Sequence, residues 1–434
     1  MNGKHLSVNL HELKNVLIAQ LRRLGLSYHL SMLLGSQILT AITALLYGKL
    51  ITVYIDPAVF GGYNVQSVAL ILLIALLGSP TIQSFLSASQ QRGIQSVMPV
   101  YTGILIIIFS FSLVCISILY WVDVVEGWVF AAWLTGVFHC MFSICLGILL
   151  ATNHLKAYAL LQSLNPLINL LLLIIIITTT DYPNTNHLWV NVLFLNIFFF
   201  LITAYVTHRF NPSFKPVFRW LAASDDQENI KAFRVFVTPL IGYALFSWLN
   251  NYADRYIINA LLTSSSVAFY ATAYSLGSRL SIIGGPIVTN LNPLMHAARR
   301  EKRHMDTNSL ISRYLILLWS IGLPVCLLLH YFQNEIGYFI LSQKYQPAFK
   351  LVPIIGLSAV CLHSLQLFET KFLVYERTSF ILFHSVIGAI VNISLNWLFI
   401  PAFGLVGAAL ATLISISVQV FVAVLLNKRM NFIG

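Results

Sequence analysis

The sequence predicts an all-α polytopic membrane protein with about 12 transmembrane helices, arranged as two six-helix halves related by pseudo-two-fold symmetry around a central cavity. Three observations support this fold class. Of the 434 residues, 58% are hydrophobic and 9% are charged, and the mean hydropathy is +0.82, which excludes soluble globular proteins. Apolar runs of roughly 20 residues, the length that crosses a bilayer, recur along the chain. A pattern of polar residues in the first run returns in the seventh.

The apolar runs form two groups of six separated by a polar linker. They fall at about 30–50, 66–87, 98–120, 128–150, 158–178 and 189–207, and then at about 236–257, 267–290, 313–331, 349–368, 379–400 and 405–426. The predicted segments are a cytoplasmic amphipathic N-terminus at 1–27, a first half at 28–207, a cytoplasmic linker at 208–235, a second half at 236–426 and a cytoplasmic tail at 427–434.

Lys and Arg are concentrated in the loops of one side. The segments around 51–65, 121–127, 179–188, 258–266 and 401–404 contain neither residue. Because cytoplasmic loops retain Lys and Arg, both termini are expected in the cytoplasm. The net charge of +11 is therefore a topology signal rather than a sign of nucleic-acid binding. The five cysteines form no CxxC pair, so neither a disulfide framework nor a metal site is expected. No cofactor is predicted.

Three cytoplasmic segments have patterns of their own. Leucines at helical spacing before residue 25 lie opposite basic residues, which predicts an amphipathic surface helix. Ser224 and Gln227 fit a capping box that opens a short helix leading into the seventh span. The basic segment from His296 to Arg313 is either a positive-inside anchor or a docking site for anionic headgroups or a cytoplasmic partner.

The first and seventh runs share a register of small, polar and aromatic positions. Gly35, Ser36, Thr40, Thr43, Tyr47 and Tyr63 recur 207 residues later as Gly242, Tyr243, Ser247, Asn250, Asp254 and Tyr270. Residues three and four apart share a helix face, so each run has one polar face, and the two faces can line one cavity. Gly78 pairs with Gly285 at the same offset, whereas Asn169 pairs with Asn392 at 223, which indicates an insertion between them.

Ionisable groups inside the spans are the candidate functional residues, because burial in lipid is costly for them. Arg279 lies near the midplane on the face of Thr272 and Ser275, and it either faces substrate or pairs with Asp254. Arg255 and Lys49 either reach the outer interface or turn into the cavity mouth. The candidate substrate-binding residues are Arg279, Asp254, Arg255, Asn250, Ser247, Tyr243, Thr40, Thr43, Tyr47 and Lys49.

Three histidines and two glutamates complete the ionisable set. His139, together with Asp254, is a candidate proton relay, and the alternative for His139, as for His363, is a hydrogen-bonded packing role. His384, Glu369 and Glu376 are expected at interface positions near the cytoplasm. The chain has no GxxxxGK[ST] and no HExxH, and its outer loops are short. These absences favour a transporter over an enzyme.

Several segments resemble one family of exporters. They are Asn251–Leu262 with its Asp-Arg pair, Val267–Tyr274, Phe60-Gly-Gly-Tyr63 and Gly404–Thr412. Together with the twelve-span layout, they are similar to polysaccharide flippases of the O-antigen (Wzx) type. That family belongs to the multidrug/oligosaccharidyl-lipid/polysaccharide (MOP) exporter superfamily.

The resemblance implies translocation of an undecaprenyl-diphosphate-linked oligosaccharide repeat unit from the cytoplasmic to the periplasmic leaflet of a bacterial inner membrane. It implies alternating access, and it suggests a polysaccharide polymerase and a chain-length regulator as further partners besides membrane lipids. Three alternatives stay open. A cation-coupled multidrug or small-molecule exporter would require an acidic cavity, and an integral-membrane polymerase would require a sizeable outer loop. The third alternative is a peptidoglycan-precursor flippase.

Overall fold

The structure is a computed structural model that describes residues 28–152, 154–210, 224–301 and 304–433. The predicted amphipathic N-terminus lies outside the described residues, as do residues 211–223 of the predicted linker. Within the described ranges every regular element is a helix. The predicted all-α fold class is therefore confirmed.

The first half contains seven helices. They are α1 (Tyr28–Tyr54), α2 (Pro57–Leu73), α3 (Ser79–Arg92), α4 (Ile94–Trp121), α5 (Trp128–Ala151), α6 (Leu155–Thr179) and α7 (Thr185–Phe210). A π-helical turn, Ile74–Gly78, joins α2 to α3, so these two helices form one interrupted span.

The second half repeats this order with additional short helices. It consists of α8 (Ser224–Leu261), α9 (Ser264–Gly277), α10 (Ser281–Arg300), α11 (His304–Tyr331), α12 (Gln333–Ile340), α13 (Gln346–Phe349), α14 (Val352–Val374), α15 (Thr378–Phe403) and α16 (Leu405–Ile433). A 3₁₀ turn, Ser278–Leu280, joins α9 to α10, and another, Gln343–Tyr345, precedes α13.

The helices account for all twelve predicted spans. In the described ranges, nine spans are long and apolar enough to cross a membrane, with α2 and α3 counted as one. The remaining predicted spans fall on α1, on α8, and on α9 with α10. The predicted short linker helix and the seventh span are one continuous helix, α8, rather than two. The protein is a multi-pass membrane protein.

Helix boundaries in the two halves follow the predicted register. The second span begins at Pro57 in the first half and at Ser264 in the second, which are 207 residues apart. Each start is capped: Ala58 N–H donates to Asp56 Oδ1 at 2.8 Å, and Ser266 N–H donates to Thr263 Oγ1 at 3.2 Å. The offset grows later because α12 and α13 have no counterpart between α4 and α5. This insertion explains the offset of 223 for Asn169 and Asn392.

The halves meet mainly through α2, which packs against α9 and α8. A Cβ atom at Gly61 would lie 1.7 Å from the Ser264 carbonyl oxygen, so only glycine permits this approach of α2 to the first turn of α9. Further along α2, the Trp248 indole N–H of α8 donates to the Val68 carbonyl at 3.1 Å. The first glycine of the Phe60-Gly-Gly-Tyr63 segment, Gly61, therefore permits the close contact between the halves.

Candidate functional site

Two cavities lie between the halves. We call the end of the molecule where α1 finishes and α2 begins the outer end, because the charge distribution predicts it to be extracytoplasmic. The outer cavity, toward that end, has a volume of about 320 Å³, and the inner cavity has a volume of about 230 Å³. Tyr252 of α8 lines both cavities. The predicted cavity between the halves is present, divided into two parts.

The outer cavity is lined by both halves and is cationic. The first half contributes Ala44, Leu45, Tyr47, Gly48, Ile51, Phe60 and Asn64, and the second contributes Tyr252, Arg255, Ala271, Thr272, Tyr274, Ser275, Leu276, Arg279, Ile340 and Leu341. Two of these residues are arginines, and none of the described lining residues is Asp or Glu. A site of this composition favours an anionic group with hydrogen-bonding neighbours.

Arg255 is held between two tyrosine rings. Its guanidinium carbon lies 4.8 Å from the centroid of the Tyr252 ring and 5.2 Å from that of Tyr274. Its Nη1 donates to the Asn251 carbonyl at 3.0 Å, and Tyr274 Oη donates to Asn251 Oδ1 at 3.3 Å. Arg255 is only 7% exposed, so of the two predicted positions it takes the one in the cavity and not the outer interface. Cation–π contacts and one main-chain acceptor fix its direction.

Arg279 enters the outer cavity from the 3₁₀ turn that interrupts the eighth span. Thr272 and Ser275 line the cavity with it, as their shared helix face predicts. Arg279 forms no hydrogen bond or ion pair with another described residue, and the alternative pairing with Asp254 is absent there. The Thr272 hydroxyl is buried, and no described residue partners it. The cavity therefore contains a half-buried cation without a described partner, and a buried hydroxyl without one also belongs to a lining residue.

Asp254 points away from the cavity, into the second half. Tyr270 Oη donates to Asp254 Oδ2 at 2.6 Å and lies 3.0 Å from Thr412 Oγ1 on α16. The nearest distance between Asp254 Oδ1 and Arg255 Nη1 is 3.9 Å. Asp254 is 1% exposed and is not among the lining residues of either cavity. Adjacent helix positions diverge by about 100°, so Arg255 faces the cavity while Asp254 packs within its own half.

The other residues of the two polar stripes separate into three groups. Tyr47 lines the outer cavity, and Tyr243 and Ser247 line the inner one. Asn250 turns toward α15 and α16, where it donates to the Ser385 carbonyl at 2.9 Å. Thr43 donates to the Leu39 carbonyl of its own helix at 2.8 Å. Neither Thr43 nor Thr40 belongs to the described lining of a cavity.

Lys49 and Lys344 close the outer end of the molecule. Lys49 Nζ donates to the Tyr338 carbonyl at 2.9 Å and to the Leu341 carbonyl, at the end of α12 in the opposite half. Lys344 Nζ donates to the Val53 carbonyl, at the end of α1, at 3.2 Å. Each lysine thus caps the carboxyl end of a helix in the other half, where a cation is favourable. Lys49, one of the predicted substrate-binding residues, thus connects the two halves at the outer end.

A buried tyrosine adds to the outer seal. Tyr345, in the 3₁₀ turn before α13, is fully buried, and no described residue forms a hydrogen bond with its hydroxyl. Burial, together with the nearby Asp56 carboxylate of the first half, raises the pKa of Tyr345 well above its usual range. Because the Tyr345 hydroxyl stays neutral, it adds no charge to the junction between the halves.

The inner cavity differs from the outer one in charge. Its lining consists of Ile71, Ala75, Ser79, Pro80 and Gln83 from the first half and Leu240, Tyr243, Ala244, Ser247, Trp248 and Tyr252 from the second. Every member is uncharged, and three are aromatic residues with a polar edge. The π-helical turn that contains Ala75 borders this cavity, and such turns are frequent at functional sites.

The predicted proton relay between His139 and Asp254 is not formed by the described residues. His139 Nδ1 lies 3.1 Å from Asn196 Oδ1, between α5 and α7 of the first half. Asp254 is bound to Tyr270 in the second half. His139 therefore takes the alternative predicted from sequence, a hydrogen-bonded packing position.

The sequence reasoning missed the aromatic clamp around Arg255. Tyr252 precedes Arg255 by three positions, so the helical neighbourhood could have indicated the contact. Tyr274 lies on α9, and only the packing of α9 against α8 brings it to the arginine. Asn64, an amide in the outer cavity, was also missed because it is not ionisable and its counterpart 207 residues later is the apolar Ala271.

Comparisons with known proteins agree on the architecture. The family model described as "Polysaccharide biosynthesis protein" matches residues 188–350. The structure of the lipid II flippase MurJ in its inward closed conformation superposes with a TM-score of 0.72 at 12% identity, over 91% of this chain and 86% of that chain. The chain has the MOP superfamily fold. The predicted resemblance to this superfamily is confirmed at the level of the fold.

Two structures of a multidrug resistance MATE family transporter share this MOP fold. The inward-facing conformation gives a TM-score of 0.69 at 14% identity, over 90% of this chain and 94% of that one. The outward-facing conformation gives a TM-score of 0.61 at 13% identity, over 93% of this chain and 98% of that one. No curated protein matches the sequence significantly.

Proposed function

We propose that the protein is a flippase that moves an undecaprenyl-diphosphate-linked oligosaccharide repeat unit, of O-antigen or a related surface polysaccharide, from the cytoplasmic to the periplasmic leaflet of a bacterial inner membrane. The observation that carries this proposal is the outer cavity, which contains Arg255 and Arg279 and no carboxylate among its described lining residues. The polysaccharide biosynthesis match at residues 188–350 and the fold shared with a lipid II flippase support it.

The charges of the outer cavity suit a diphosphate. An arginine at the centre of a bilayer costs about 2.5–3.5 kcal/mol on insertion scales, so an unpaired Arg279 there needs a compensating anion. Guanidinium groups bind phosphate oxygens with two parallel hydrogen bonds, which a diphosphate can accept. The hydroxyls of Thr272 and Ser275 extend the site for sugar hydroxyls, while the lipid tail stays in the bilayer. Rocking of the two halves then exposes the cavity to either side in turn.

The main alternative is a cation-coupled multidrug or small-molecule exporter, which the fold shared with a multidrug resistance MATE family transporter supports. A pocket for organic cations needs negative charge facing the ligand. Asp254, the candidate carboxylate, instead accepts a hydrogen bond from Tyr270 and faces the second half. We therefore rank this alternative, and the integral-membrane polymerase, below the flippase.

The proposal includes cytoplasmic termini, a non-enzymatic role and, as partners, a polysaccharide polymerase and a chain-length regulator. The proposed orientation follows from the Lys and Arg distribution. A flippase supplies lipid-linked units on the outer leaflet, and polymerisation there would consume them.

The proposal is tested in cells that lack this gene and any second flippase. They are complemented with the wild type, Arg279→Ala, Arg279→Lys or Arg209→Ala, where Arg209 is an exposed arginine outside both cavities. The lipid-linked oligosaccharide on each leaflet is then measured. We expect intermediates to accumulate on the cytoplasmic leaflet without the gene and with Arg279→Ala, partial release with Arg279→Lys, and full release with the wild type and Arg209→Ala.

Two outcomes would contradict the proposal. Normal delivery to the periplasmic leaflet without the gene would exclude a flippase role in that cell. Full transport by Arg279→Ala, at wild-type abundance, would remove the cationic cavity from the mechanism. Altered susceptibility to cationic drugs with unchanged polysaccharide would favour the exporter.

A further inference from the structure

A carboxylate and an imidazole form a buried pair in the second half. Glu369 of α14 and His384 of α15 place Oε1 and Nε2 3.3 Å apart, and their side chains are 16% and 0% exposed. The sequence predicts interface positions near the cytoplasm for both residues. In the structure His384 is fully buried where α15 packs against α16 and α8. Neither ring nitrogen of His384 makes a well-aligned hydrogen bond with a described residue.

The surroundings of the pair leave its charge uncompensated. Tyr243 of α8 faces Glu369, and Gln419 of α16 faces His384. On α14 itself, His363 Nδ1 lies 2.8 Å from Gln366 Oε1, and Lys371 Nζ donates to Asn308 of α11 at 2.8 Å, so both are engaged elsewhere. A carboxylate beside a neutral imidazole carries one negative charge. One added proton makes the pair neutral overall, which is the favourable state for a buried group.

The pair is connected to the helix that lines both cavities. Gln419 Nε2 donates to Asn250 Oδ1 at 3.3 Å, and Asn250 Nδ2 donates to the Ser385 carbonyl, next to His384, at 2.9 Å. A Cβ atom at Gly388 would lie 2.2 Å from Gln419, so this amide is held tightly against α15. Through Asn250 and Tyr243, the pair therefore contacts α8 on the face opposite Arg255.

We propose that Glu369 and His384 form a proton-binding site whose occupancy is coupled to the movement of α8, and hence to opening of the cavities. That this proton is the coupling ion of transport rests on the proposed function. One proton, taken from water in the inner cavity, is held between Glu369 Oε1 and His384 Nε2. The closed packing of α8 against the pair favours the protonated state. Release of the proton to water leaves a negative charge, which favours separation of α8 from α14 and α15 so that water reaches the pair.

The test measures conformation without any substrate, so its result is independent of the flippase assay. Spin labels are attached to Gln95→Cys and Asn292→Cys, exposed positions near the inner ends of the two halves, with Cys115 replaced by serine. The other four cysteines are buried. Electron–electron distance distributions are recorded between pH 5 and pH 9 for the purified protein. A single-proton linkage changes the ratio of the two conformers up to tenfold per pH unit near the midpoint.

The variants are Glu369→Gln and His384→Gln, with Glu335→Gln as the matched control. Glu335 is an exposed carboxylate at the outer surface on α12. We expect the wild type and Glu335→Gln to show the pH-dependent ratio, and both site variants to give one ratio at every pH. An unchanged distance distribution in the wild type, or a pH response retained by either folded site variant, would overturn the proposal. Two variants are used so that misfolding of one leaves the other informative.

Discussion

Replacing Gly61 with alanine is expected to open the outer end of the cavity. The new Cβ would lie 1.7 Å from the Ser264 carbonyl oxygen and 2.4 Å from its carbon, where ordinary contacts begin near 3.4 Å. Both atoms belong to the backbone of the first turn of α9, so the helices must separate. Overpacking of this kind typically destabilises the packed conformation by about 1–3 kcal/mol. A cost of about 2 kcal/mol confined to the outer-closed state shifts the ratio of outer-open to outer-closed protein by roughly 30-fold.

The change is read out by thiol labelling from the outer side. Ser275→Cys places a thiol in the outer cavity, and a membrane-impermeant maleimide reaches it only in the outer-open state. The labelling rate should rise roughly 30-fold in Gly61→Ala. Gly62→Ala is the matched control, because its Cβ would meet only Thr185 Oγ1 at 3.9 Å. Helix propensity favours alanine at either position by about 0.8–1.0 kcal/mol, so propensity cannot produce a difference between them.

One result would refute this reasoning. If folded Gly61→Ala labels at the same rate as the wild type and Gly62→Ala, the contact between α2 and α9 does not control access to the outer cavity. A loss of folded protein in Gly61→Ala alone would show instead that the contact is needed in every conformation.

Three further predictions concern the side chains around the cavity. Lys49→Met and Lys344→Met each remove a cation from a helix end, worth about 0.3–1 kcal/mol, so each should raise the same labelling rate roughly two- to fivefold. Tyr270→Phe leaves the buried Asp254 carboxylate without its hydroxyl donor, and the midpoint of thermal unfolding should fall by the equivalent of about 1–3 kcal/mol. Tyr252→Leu removes a cation–π contact of about 0.5–2 kcal/mol, so binding of undecaprenyl diphosphate should weaken roughly two- to 30-fold.

Each of these predictions has a control on the same chain. Lys350→Met, an exposed lysine near the outer end, should not change labelling. Tyr182→Phe, whose side chain is largely exposed, should leave the unfolding midpoint in place. For Tyr252→Leu, Tyr252→Phe keeps an aromatic ring over Arg255 and should retain binding. Equal effects in the variant and its control would contradict the assigned contact.

The internal repeat shows which helix boundaries local sequence patterns can predict. The offset between Pro57 and Ser264, both at helix starts, follows from the register seen in the sequence, because capping and apolar periodicity act within a few residues. The breaks in the second and eighth spans, at Ile74–Gly78 and Ser278–Leu280, do not follow from that register and are seen only in the structure. The turn at Ser278–Leu280 contains Arg279, which lines the outer cavity.

The two charged neighbours in α8 show where local pattern stops. Their spacing establishes that Asp254 and Arg255 point in different directions, but not which of them faces the substrate. That choice depends on Tyr270 of α9, which donates to Asp254 and whose hydroxyl also lies against Thr412 of α16. The same is true of Lys49, whose acceptors lie 289 and 292 residues further along the chain.

The sequence by itself determined the membrane class, the helix layout, the internal repeat and the superfamily resemblance, because hydropathy and helix periodicity are properties of short segments. Only the tertiary structure decided which polar groups share a cavity and which stabilise a half. Those assignments depend on contacts between helices distant in sequence, where the cost of burying a charge selects the partner. Arg255 with its tyrosines and Glu369 with His384 are both results of that packing.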